Sequence, residues 1–261
     1  MNPKLKNFLK PIFHFFYSIG FDARRFSSIR NYPRYRRDLF KFKKSGGVVT
    51  HKYGILVDYN SEAGSASGHY FHQDLLVASY INKNKPKRHI DIGSRIDGFV
   101  AHVASFRNID VMDVRKLQDT GHKRISFIQA DLMEENCKFL NISDSISCLH
   151  AIEHFGLGRY GDSIDPDGHK KGFNNILGML KKGGILYISF PIANKNEIHF
   201  NANRVFSPKD IFTWANYKKS IKLQNFDYVD DLGNLHRNIN IDSKNIDVVH
   251  GCGIYTFKKI Y

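Results

Sequence analysis

The 261-residue sequence holds only three cysteines and one tryptophan. Cys137, Cys148 and Cys252 stand far apart with no CxxC pair, which argues against a zinc ribbon and a disulfide scaffold and suits a reducing cytoplasm. An uninterrupted apolar stretch of about 20 residues is also missing, so no transmembrane span is expected. No small-residue cleavage site marks a removable signal. Acidic side chains are scarce beside basic ones, 25 against 39, for a formal charge of +14. What is there is an ordinary globular composition, 42% hydrophobic and 25% charged. That suffices for one core domain with an appendage.

The basic excess is local. Residues 1–44 carry twelve Lys/Arg and two Asp/Glu, a net of +10, which leaves 14 − 10 = +4 for the rest. Leu5, Phe8, Leu9, Ile12, Phe13, Phe16 and Ile19 follow near-helical spacing, interleaved with Lys4, Lys6, Lys10 and His14 and interrupted by Pro11. A polybasic run from Arg24 to Lys44 follows. The pattern predicts an amphipathic segment able to touch an anionic membrane surface from the cytoplasmic side. Packing of the same helix on the core, with the arginines on a solvated or substrate-facing surface, is the plainer reading and carries more weight, and nucleic acid ranks last. The expected organisation is a basic aromatic segment, 1–44, and one domain, 45–261.

From Gly46 onward the pattern becomes regular. A helix is expected over 70–81, then strands over 88–92, 109–114, 125–130 and 145–149, with a helix over 99–106 after the first of them. A second helix over 173–180 meets a glycine stop at Lys181-Lys182-Gly183-Gly184, and a strand over 185–190 follows. Ser207-Pro208-Lys209-Asp210 reads as a helix cap. Strands over 222–228 and 253–258 close the chain. Strands alternating with helices predict an α/β fold, a mostly parallel sheet with helices on both faces.

In such a sheet ligands bind beyond the carboxyl ends of the strands, so the residues just after each strand are the informative ones. Gly93 and Gly98 would let the backbone approach a ligand, and the next helix presents free N–H groups. Asp113 lies twenty-two residues beyond Asp91, the spacing of an acid that grips a ribose diol. Asp131 would meet an adenine amino group. The loop lacks GxGxxG: Ser94, Arg95 and Asp97 stand where a pyrophosphate wants glycine, and Asp97 repels phosphate. This disfavours NAD and favours a ligand with an amino acid tail.

The strings SGHYFHQD (67–74), HIDIGSRIDGFVAHVASF (89–106), DVRKL (113–117), SCLHAIEHFGLGRYGDSIDPDGHKKG (147–172) and FNANRVFS (200–207) resemble a methyltransferase-like bacterial family of unassigned function. Members of that family occur in surface-polysaccharide gene clusters and also in nematodes. More broadly, Asp91 to Gly98, Asp113, Asp131, the Glu153-His154 pair and LKKGG look like the ordered motifs of class I S-adenosylmethionine-dependent methyltransferases. The resemblance implies a Rossmann-like methyltransferase sheet, S-adenosylmethionine as cofactor, and a sugar, nucleotide-sugar or glycan intermediate as acceptor. It places Asp91, Gly93, Ser94, Gly98, Asp113, Asp131 and His150 at the cofactor. The non-glycine residues Ser94 and Arg95 depart from the pattern.

Methyl transfer to a hydroxyl wants a base of near-neutral pKa. His154 is the candidate, assisted by Glu153 or Asp162, with His199, Asn201 and Arg204 to hold the acceptor. A packed His150, a backbone contact for Glu153 and a surface ion pair for Arg204 are the plainer readings. His150-x-x-Glu153-His154 also fits a zinc-peptidase pattern, with Asp162, Asp165, Asp167 and His169 as further ligands. That pattern needs a helix, whereas here it leaves a β-like run, so no metal is expected. A binding or scaffold protein that keeps the fold without catalysis is the alternative to an enzyme.

Overall fold

The computed structural model describes residues 20, 26–134, 138–214, 220–243 and 246–261. The amphipathic stretch expected over 5–19 lies outside the described residues. Contacts gather into two units, Met1–Ser65 and Ala66–Tyr261. In the first, α1 (Tyr32–Lys44) opens with a proline in its first turn and closes on Lys41, Lys43 and Lys44. Each of these suits its end of the helix dipole. The Asn31 side chain donates to the Leu56 carbonyl at 2.9 Å.

The second unit is built on an eight-stranded sheet in the order β3-β2-β1-β4-β5-β10-β8-β9. Its parallel half comprises β1 (His89–Ile92), β2 (Ile109–Asp113), β3 (Ile125–Gln129), β4 (Ser143–Leu149) and β5 (Leu180–Ile192). The short pair β6 (Glu197–His199) and β7 (Asn203–Val205) forms a separate two-stranded sheet. On the far side β10 (Gly251–Lys259) runs antiparallel to both β5 and β8 (Ile221–Val229), and β9 (Leu235–His236) edges β8. The antiparallel course of β10 brings its first residues beside the last residues of β5, where Cys252 pairs with Pro191.

Helices cover both faces, as expected. On one face α2 (His69–Asn84) packs Val77 and Ile81 with Phe99 and Val103 against Val111 and Ile254. On the other, α4 (Gly168–Met179) packs Phe173 and Ile176 against Ile188, Phe206 and Trp214. Each fully buried Ile or Phe contributes roughly 1.5–3 kcal/mol. Among the described residues no helix is long and apolar enough to cross a membrane.

Three local expectations change. Helix 99–106 begins earlier, as a π turn (Ile96–Val100) kinked at Gly98, and continues as α3 (Ala101–Ala104). Lys181-Lys182-Gly183-Gly184 belongs to β5: Ser143 pairs with Leu180 but Ser145 with Ile185, so this stretch bulges from the ladder. The expected cap at Ser207 is absent, since the helix there is a single 3-10 turn (Asp210–Thr213) preceded by Lys209 with no side-chain cap. The Ser207 N–H goes to Asn196 Oδ1 at 2.6 Å instead.

Candidate functional site

The β1–α3 loop is organised from beneath by Asp91, which is wholly buried. Its carboxylate accepts from Ser94 Oγ (2.8 Å), the Ser94 N–H (3.2 Å) and Ser147 Oγ (2.5 Å). Burial pushes its pKa up to about 7, against the pull of those hydrogen bonds. Asp91 therefore shapes the loop and borders neither of the two cavities at the strand ends, whereas Gly93, Ser94 and Gly98 border one or both. Gly93 sits at φ +72, and a Cβ there would come within 2.8 Å of Ala151 Cβ. Only glycine allows β1 to turn so close to the start of the β4 loop.

Two adjoining cavities open beyond the strand ends. The smaller is bounded by Asp113, Asp131, Met133, Ala151 and Phe155. Asp131 Oδ1 takes the Met133 N–H at 2.8 Å. Arg115 grips Asp113 through Nε–Oδ1 (2.9 Å) and Nη2–Oδ2 (2.6 Å), and its guanidinium lies 4.3 Å from the centre of the Tyr160 ring. The larger cavity is bordered by His69, Tyr70, Asp74, Arg95, Asn203 and His250. Most of the side chains around it are polar, with Phe99, Leu149 and Pro191 the apolar exceptions. Arg95 and Asp97 neutralise each other at its rim (2.7 Å), and burial raises the Asp74 pKa.

Between the cavities lie His150, Glu153 and His154. His150 Nδ1 is 2.8 Å from Glu153 Oε1, and Glu153 Oε2 is buried without a partner beside the larger cavity. His154 Nδ1 is 2.7 Å from the Ala202 carbonyl oxygen. A carbonyl only accepts, so Nδ1 carries the proton and Nε2 keeps its lone pair. Nε2 lies 3.8 Å from Glu153 Oε1, too far for a hydrogen bond. Burial lowers the His154 pKa, partly offset by Glu153 and the Ala202 bond. His154 borders both cavities as a neutral imidazole with a free acceptor nitrogen.

Asp162 borders the smaller cavity, yet its carboxylate takes the N–H groups of Gly156, Gly158 and Tyr160. It ties the loop rather than facing a base. Arg204 is 2% exposed and borders neither cavity. Its guanidinium donates to the carbonyls of Phe155 (2.6 Å), Asp165 (3.2 Å) and Pro166 (3.1 Å). His199 pairs with Glu197 at 2.9 Å and Asn201 sits at φ +62 in the turn between β6 and β7, and neither borders the two cavities. Asn203, two residues on, is the one that reaches the larger cavity. The HxxEH string is not helical: His150 stands at φ +49 and Ile152–His154 is one 3-10 turn.

Sequence reasoning missed Arg115, Tyr160, Gln73 and His250. Arg115 carried a usable signal, an arginine two residues after a strand-end acid. Tyr160 and His250 carried none, because long loops deliver them.

The sequence model of a family described as "Caenorhabditis protein of unknown function, DUF268" matches residues 100–247. No curated protein matches the chain. Among solved structures the chain is similar to the N-methyltransferase NodS of Bradyrhizobium japonicum WM9 in complex with S-adenosylhomocysteine. Identity there is 13%, TM-score 0.50, with 74% of this chain and 88% of that one covered. It is also similar to Burkholderia thailandensis 1,6-didemethyltoxoflavin-N1-methyltransferase, bound to 1,6-didemethyltoxoflavin and S-adenosylhomocysteine, at 13% identity and TM-score 0.52, covering 89% and 90%. A third likeness is to the [4+2]-cyclase SpnF, at 14% identity and TM-score 0.53, covering 83% and 90%. These likenesses establish the fold, the Rossmann-like sheet of class I methyltransferases expected from the sequence.

Proposed function

The chain belongs to the DUF268 family, and we propose that it is an S-adenosylmethionine-dependent methyltransferase acting on an oxygen of a sugar, nucleotide-sugar or glycan intermediate. The observation that carries this reading is His154, neutral and with a free Nε2, bordering both cavities at the strand ends. The smaller cavity suits adenosine: Asp113 for the ribose diol, Asp131 for the adenine amino group, Met133 and Phe155 for the ring faces. The amino acid tail would lie over Gly93 toward Asp74 and Arg95, which offer opposite charges to its ammonium and carboxylate. The orphaned Glu153 Oε2 is one more acceptor waiting for a donor.

When bound, the cofactor supplies a sulfonium methyl group for in-line displacement. The polar larger cavity, with Asn203, Arg159 and His250, suits a polyhydroxyl acceptor. There His154 Nε2 takes the proton of the attacking hydroxyl, and the Ala202 carbonyl stabilises the resulting imidazolium through Nδ1–H. Asp162 and Arg204 hold the loop over residues 155–166 in place. The link to surface polysaccharide rests on the sequence resemblance. Incubation with methyl-labelled S-adenosylmethionine and a panel of sugar nucleotides and lipid-linked glycans tests it. Label in a glycan product, absent with His154→Ala, is expected; label confined to nucleic acid or protein would overturn the acceptor class.

A second reading, a binding or scaffold protein without catalysis, is favoured by one observation: Arg115 already occupies the Asp113 carboxylate. The similarity to a protein named a [4+2]-cyclase adds that such a fold hosts other chemistry. Peripheral membrane contact through residues 1–44 is also proposed, supported by exposed Phe40 and Phe42 among the basic residues of α1. Co-sedimentation with anionic vesicles, absent with neutral ones, is the expected result.

A further inference from the structure

The carboxyl edge of the sheet gathers a second set of side chains that the proposed methyl transfer leaves unused. His69 is the first residue of α2, His150 follows β4, and Cys252 is the second residue of β10. One ring nitrogen of each histidine and the Cys252 thiol sulfur lie within 4.8 Å of one another. We infer that His69, His150 and Cys252 form a binding site for a zinc-type transition-metal ion.

The second observation is the state of His150. Its side chain is 6% exposed, Nδ1 is engaged by Glu153 at 2.8 Å, and the buried Nε2 meets no nitrogen or oxygen partner, only the Cys252 thiol beside it. A buried ring nitrogen without a partner is destabilising unless something occupies it. A carboxylate on one ring nitrogen, fixing the tautomer and freeing the other, is the arrangement that supports metal-ligating histidines. Glu153 supplies that carboxylate.

His150 is held at φ +49, a conformation that non-glycine residues adopt mainly where surroundings enforce it, and its ring lies 5.3 Å from that of His69. The Cys252 thiol is wholly buried, and its acceptors, Gln73 Oε1 and the Gly253 carbonyl, both lie at 3.8 Å. Imidazole and thiolate together select zinc, cobalt or cuprous copper over magnesium and calcium. Tetrahedral binding needs ligand atoms about 3.5 Å apart, so His69 must rotate out of its near-parallel stack on His150 to close the set. Three protein ligands leave a fourth position, and His69 and His150 border the larger cavity, so that position faces the acceptor space. An ion there would polarise an acceptor oxygen near His154.

The test needs no cofactor, so its failure is distinct from failure of the methyltransferase reading. The full chain, stripped with chelator, is titrated with Co2+ and followed by absorption, then challenged with Zn2+ and Mg2+. Expected are one equivalent bound, tetrahedral visible bands and a thiolate-to-cobalt charge-transfer band, displaced by Zn2+ but not by Mg2+. Cys252→Ser abolishes the charge-transfer band, and His69→Gln weakens Co2+ binding at least about tenfold. No charge-transfer band in the wild type, or a band that survives Cys252→Ser, overturns the site. Because Cys252 lies in the sheet interior, His69→Gln at the half-buried helix start decides the matter if Cys252→Ser fails to fold. Unchanged Co2+ affinity in His69→Gln also overturns it.

Discussion

Arg115 and Asp113, two residues apart at the end of β2, face each other as a bidentate pair, with Nη2–Oδ2 at 2.6 Å and the Arg115 N–H adding a third bond at 2.8 Å. This is the carboxylate expected to take a ribose diol. A carboxylate has about four acceptor directions, and Arg115 with its own N–H fills most of them. Ligand binding and the internal pair therefore compete for the same oxygens.

The competition predicts opposite effects of two substitutions. Asp113→Ala weakens S-adenosylhomocysteine binding at least about tenfold, or ~1.4 kcal/mol. Arg115→Ala strengthens it a few-fold by releasing the carboxylate. Calorimetric titration of both variants measures this, and weaker binding in Arg115→Ala would show that the guanidinium contacts the ligand itself.

For His154 the two steps separate. His154→Ala leaves S-adenosylhomocysteine affinity unchanged while turnover falls roughly 10²–10⁴-fold, the usual contribution of a positioned base. Burial depresses the His154 pKa, so the neutral form persists to lower pH than in a free imidazole. The acid limb of kcat/KM accordingly falls below the ordinary value near 6.5, and a limb above it would contradict the assignment.

Stability against acid follows from His89. Burial, and secondly Arg107, depress its pKa to about 3, while its ring nitrogens meet Ser145 Oγ (2.8 Å) and Ser147 Oγ (3.1 Å). Between that value and the unfolded 6.5 the unfolded chain binds the extra proton. Stability from this group is thus full above pH 6.5 and is lost as pH falls toward 3. Asp91 works in the other direction: raised to about 7, it makes stability fall as pH climbs from its unfolded 3.8. Urea unfolding between pH 4.5 and 7 should show a flatter acid side in His89→Asn and a flatter neutral side in Asp91→Asn.

Arg204 is predicted to matter for stability. Arg204→Met removes a buried guanidinium that ties the Phe155, Asp165 and Pro166 carbonyls together, at a cost of roughly 2–4 kcal/mol by denaturant unfolding. A loss under ~0.5 kcal/mol would make the clamp dispensable.

The sheet was legible because its strands are short apolar runs, and the placement of Asp113, Asp131 and His154 beside a cavity because strand ends in such a sheet border one. Arg204 was opaque: nothing local reveals that the loop between Glu153 and Pro166 turns several carbonyls inward and needs a buried donor. His199 and Asn201 belong to a two-stranded turn whose reach to the cavities depends on one further residue, Asn203. The His69, His150 and Cys252 cluster had no motif at all. Helix α2, the β4 loop and the antiparallel return of β10 bring those residues together from three separate segments.

The strand-end cavities are proposed to bind S-adenosylmethionine. Calorimetric titration of the full chain with S-adenosylmethionine and S-adenosylhomocysteine, with NAD as control, tests it without knowledge of the acceptor. Binding of both at micromolar Kd, about −8 kcal/mol, and none of NAD, is the expected result. A folded protein that binds neither would contradict it and leave the fold in a role without methyl transfer.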